Sequence, residues 1–134
     1  MKTKTMKAFA THCNVCGYNY IFPQDRKEHA AYCRKLQRAR QFFGDDLVLT
    51  YHQREELKKL GRSIWQNESL PLGERVDGAL MEITGWYARS LAESGYNRKF
   101  ESFGKYVIKL LRSSPRLYPA EICAELQKIY SVAS

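Results

Sequence analysis

Four side chains near the N-terminus constrain this chain more than any other feature: Cys13, Cys16, His29 and Cys33, spaced C-x2-C-x12-H-x3-C. A fold that gathers them must turn sharply between the first two and carry the last two on one side of a regular element. Cys13-Asn14-Val15-Cys16-Gly17 suits the turn, since Gly17 accepts the positive φ that lets two thiolates face one ion. His29 and Cys33 are four residues apart and point the same way on an α-helix. Four protein ligands complete a tetrahedral shell and leave no position for water, so the ion expected is a single structural zinc. The opening MKTKTMKAFATHC is basic and has no apolar stretch of the secretory kind, which points to an intracellular protein with reduced thiols. Metal is therefore expected in place of disulfides. Cys123, alone in an apolar helical segment, reads as packing.

Residues 1–10 carry Lys2, Lys4 and Lys7 without an acidic group or a periodic pattern and read as a flexible basic arm. A strand is expected over residues 18–22. Pro23 breaks it, and Asp25 and Glu28 then favour the first turn of a helix running to about Gln41. Gly44 suits a helix C-terminus, and the module boundary is placed there. Leu57, Leu60 and Ile64 predict a helix from Thr50 to about Gln66. Val76, Ala79, Leu80, Ile83, Tyr87 and Leu91 predict a longer one from Pro71 to about Gly95. Phe103, Val107, Leu110 and Leu111 mark another, stopped by Ser113-Ser114-Pro115, and Ile122, Leu126 and Ile129 mark a last one from Pro119. The expected fold is mainly α: a small N-terminal ββα zinc finger with an extended basic helix over residues 11–41, then a four-helix module over residues 47–134.

The segment THCNVCGYNYIFPQDRKEHAAYCRK resembles a ββα zinc finger of CCHC type over roughly a fifth of the chain. It is similar to the finger that precedes the catalytic domain of cohesin acetyltransferases, sharing the Cys16-Gly17 step, the aromatic Tyr20 and the acidic Asp25 before His29. It also looks like the ubiquitin-binding fingers of DNA-repair proteins, whose last ligand is a Cys. The resemblance implies a zinc-dependent module that binds nucleic acid or protein.

Charge favours nucleic acid. Residues 1–41 hold nine Lys and Arg against Asp25 and Glu28, whereas residues 42–134 hold thirteen against twelve acidic groups. Such asymmetry points to a polyanion at the first forty residues. On a helix, Lys27, Arg34 and Arg38 fall within about twenty degrees of one line, nearly opposite His29, Cys33 and Leu36. With Arg26, Lys35 and Lys7 from the arm, they form the expected phosphate-gripping set. No P-loop, GxSxG, HExxH or dinucleotide fingerprint occurs, and no catalytic residues are assigned. The expectation is a small nucleic-acid-binding regulatory factor whose helical module binds a protein partner or a second copy of itself, away from any membrane. The alternative is an adaptor or inhibitor whose finger recognises a protein.

Overall fold

A computed structural model describes residues 11–12, 19–20 and 25–131 of the chain, with side chains from residue 27 onward. Five helices dominate: α1 (Asp25–Phe43), α2 (Tyr51–Trp65), α3 (Leu72–Glu93), α4 (Phe103–Ser113) and α5 (Ala120–Tyr130). Two strand pieces of two residues each, β1 (Thr11–His12) and β2 (Asn19–Tyr20), pair antiparallel with Thr11 opposite Tyr20. The chain divides into two compact units, Met1–His52 and Gln53–Ser134, and α2 begins two residues before the division.

In the first unit α1 packs beside β2. Its residues sort cleanly by face. Leu36 and Ala39 are buried and His29, Tyr32, Cys33, Arg40 and Phe43 half-buried, while Lys27, Arg34, Lys35 and Arg38 are exposed. The helix ends where Gly44 takes φ +95°, a conformation open to a residue without Cβ, and the Gly44 N–H donates to the Arg40 carbonyl at 2.9 Å. Arg40 turns back from the last turn and donates through Nε to the Val48 carbonyl at 3.2 Å, tying the following loop to the helix.

The second unit is built on α3, α4 and α5, which pack on one another around Val76, Ala79, Ile83, Val107, Leu111, Tyr118, Ile122 and Leu126. The residues starting these helices explain their placement. Pro71 precedes α3 at φ −59° and accepts from the Glu74 and Arg75 N–H groups, Ser102 caps α4 by accepting from the Lys105 N–H, and Pro119 precedes α5. An aromatic group closes one end. Tyr87 lies 5.3–5.6 Å, centroid to centroid, from Phe100, Phe103 and Tyr106, and its hydroxyl donates to the Glu101 carbonyl at 2.8 Å.

Helix α2 reaches α3 through glycine. A Cβ on Gly61 would collide with the Gly78 carbonyl and lie 2.7 Å from the Glu82 nitrogen, and one on Gly78 would lie 2.8 Å from the Gly61 carbonyl and from Ile64 Cβ. Gly85, seven residues after Gly78 and so on the same face, is crossed by the Lys58 side chain. The two backbones therefore meet where neither carries a side chain.

Candidate metal centre and nucleic-acid interface

Of the four residues expected to hold zinc, two are described. His29 and Cys33 stand one turn apart on α1, both half-buried on the side of Leu36, and Cys33 is a free thiol. Their placement follows from the four-residue spacing, which returns a helix to nearly the same direction. Cys13 and Cys16 lie outside the described residues, as does Lys7, and Arg26 is described only as backbone within α1. Among the described residues no group of three or more His, Cys, Asp or Glu could hold a metal ion.

The cationic residues form a face. Lys27, Arg34 and Arg38 line the exposed side of α1, with Lys35 beside them. Arg40 does not join this set, because it sits on the inner side and is engaged with Val48. The exposed set lies on the opposite side of the helix from His29 and Cys33, so a partner could meet the cations without displacing the two ligand candidates.

No family model matches the chain, and neither a curated protein nor a solved structure matches it. The resemblance to CCHC-type ββα fingers of cohesin acetyltransferases and of ubiquitin-binding repair proteins is therefore withdrawn, together with the ββα finger in the expected fold class. Among the described residues His29 and Cys33 have no third His, Cys, Asp or Glu with which to hold a metal ion, and their common direction follows from a four-residue spacing on one long helix, which requires no finger. The compact unit reaches His52.

A second polar constellation, outside the residues expected to carry function, occupies the helical unit. Glu82 on α3 is only 2% exposed, and no other charged residue is buried among the described ones. Its carboxylate accepts from Arg62 Nε at 2.6 Å, from Trp65 Nε1 at 2.9 Å and from the Tyr118 hydroxyl at 2.8 Å. Burial first, and then the hydrogen bond to Glu82, push the Tyr118 phenol far above its ordinary range, so it stays protonated and donates. The Tyr118 ring meets Trp65 edge-on at 5.0 Å, and Arg75 Nε donates to the Trp65 carbonyl at 2.9 Å. One carboxylate thus ties α2, α3 and the turn before α5 together, which makes it a structural anchor. A signal for it exists in the sequence: Gly78-x3-Glu82-x2-Gly85 puts an acid between two glycines on one helical face, where a neighbouring helix comes close.

Proposed function

We propose that the chain binds nucleic acid through the exposed cationic face of α1, in a unit held together by one structural zinc on Cys13, Cys16, His29 and Cys33. The observation that carries this reading is the division of α1 into two faces: Lys27, Arg34, Lys35 and Arg38 outward, His29 and Cys33 one turn apart inward. Outward cations grip phosphates and release counterions. A second turn of ligands supplied by the Cys13-x2-Cys16 step would complete a closed N/S shell of the structural type. The helical unit then serves protein binding or self-association, read directly by light scattering on the purified protein.

Fluorescence anisotropy with short labelled duplexes and single strands tests the reading. Lys27→Glu, Arg34→Glu and Arg38→Glu together abolish binding if α1 is the interface. A triple variant that binds as the unaltered protein does would remove it.

A further inference from the structure

Counted over the whole of residues 42–134, positive and negative charges nearly balance, but along the chain they are not evenly mixed. Residues 98–116 contain Arg98, Lys99, Lys105, Lys109, Arg112 and Arg116 against Glu101 alone, whereas the rest of the unit Gln53–Ser134 holds seven basic and nine acidic residues. We propose that the outer face of α4 is a second phosphate-binding surface, carried by the helical unit and taking the same class of partner, a nucleic-acid backbone; this rests on the reading of the protein as a nucleic-acid binder.

The geometry is that of a row. Lys105, Lys109 and Arg112 follow at i, i+4 and i+7 and are all exposed, while Val107, Ile108 and Leu111 are buried on the other side. At 1.5 Å rise per residue the row covers about 10 Å of helix axis. Lys99 and Arg116 are exposed in the turns that flank α4. Of the seven cations elsewhere in the unit, four are paired with acids: Lys58 with Glu55, Arg62 with Glu82, Arg89 with Glu93 and Lys128 with Glu125. On the α4 face only Lys109 is paired, with Glu101 at 2.8 Å; among the described residues no carboxylate pairs with Lys99, Lys105, Arg112 or Arg116. Like charges at helical spacing repel, so this face gains from a partner that brings regular negative charge.

The partner's chemistry follows from what the face lacks. Among the described residues the exposed large apolar ones are Phe42, Tyr51, Leu60, Leu72 and Ile129, none of them on α4. A helix that lies on a lipid surface needs an apolar side to insert, and a protein interface needs buried aromatic or aliphatic anchors. A face of long cationic side chains with no apolar anchor fits phosphates that stay in water.

The test uses the full chain and labelled duplex, titrated over a range of salt. Lys99→Gln, Lys105→Gln and Arg112→Gln together should weaken binding and reduce the slope of log affinity against log salt by about one per removed charge. A control removes the same three charges from other faces through Lys59→Gln, Arg89→Gln and Lys128→Gln, and should change the slope by much less. Circular dichroism verifies that both variants keep their helices. Equal effects in the two variants, or no effect in the α4 variant, would overturn the proposal. If the α4 variant binds normally while the α1 reversal abolishes binding, this inference falls and the proposed function stands. If the α1 reversal binds normally while the α4 variant does not, the α1 reading falls and α4 carries the interface. A native protein that binds no nucleic acid at low salt overturns both.

Discussion

Glu82 sits four residues after Gly78 and three before Gly85, and its carboxylate collects three donors from two other segments of the helical unit. Removing one partner of a buried charged group leaves the others unsatisfied, at about 3–5 kcal/mol. Glu82→Ala should therefore lower the urea midpoint of the helical unit sharply, against a total stability on the order of 5–15 kcal/mol for a small domain. Tyr118→Phe deletes one donor to a charged acceptor and should cost about 1–3 kcal/mol. Arg62→Ala should cost at least as much as Tyr118→Phe, because it leaves the buried Glu82 carboxylate without its counter-charge, whereas Tyr118→Phe removes a neutral donor. Alkali gives an independent readout. The phenols of Tyr118, Tyr87 and Tyr130 are raised by burial above the ordinary value near 10, while in the unfolded chain they ionise there. Their contribution to stability is complete below that pH and is lost as pH rises beyond it. For Tyr118 the loss is about 1.4 kcal/mol per pH unit, and Tyr118→Phe should flatten this alkaline slope in denaturation measured from pH 9 to 11.

Among the elements, the α2–α3 crossing depends on glycines that have different tolerances. Gly78→Ala puts a methyl against the Gly61 carbonyl and Ile64, atoms that cannot move without separating the helices, and should destabilise by about 1–3 kcal/mol. Gly73 lies in the first turn of α3 with nothing within 4 Å of an added Cβ, so Gly73→Ala should stabilise by about 0.4–1 kcal/mol. Opposite shifts of the urea midpoint for two Gly→Ala changes in one helix would separate close packing from propensity. Equal shifts would contradict the crossing. The helices themselves were legible in the sequence. Each of the five lies within about three residues of the span expected for it: α1 from Pro23 and the acidic first turn, α2–α5 from apolar residues at three and four, which mark a face whatever it packs against. Glu82 was not legible in that way, because it falls between the apolar stripe and the glycines, where a polar residue is ordinarily solvated.

For the whole molecule, the two units suggest separable tests. Native mass spectrometry at neutral pH should give one zinc ion per chain, and His29→Ala should lose it. Zinc retained at the original stoichiometry and affinity in His29→Ala would exclude His29 as a ligand. Chelation should reduce ellipticity by about the contribution of α1 and leave the unfolding of α2–α5 unchanged, because metal binding in a small module is coupled to its folding. No helix among the described residues is long and apolar enough to cross a membrane.

Spacing along the chain determined the helical class, the helix spans and the inward and outward faces of α1, since these follow from a period of 3.6 residues that needs no tertiary information. The net charge of residues 42–134 concealed the α4 row, because a sum over a segment does not say which acids fold back onto which bases. Lys58–Glu55, Arg89–Glu93 and Lys128–Glu125 lie one helical turn apart, whereas only the tertiary structure decided the pairing of Arg62 with Glu82. It also decided the pairing of Gly61 with Gly78 and the burial of Glu82 beneath Arg62, Trp65 and Tyr118, contacts between residues 17 to 36 positions apart that no local pattern fixes. Burial of a charge depends on which neighbours close over it, and those neighbours are chosen by the packing of whole helices.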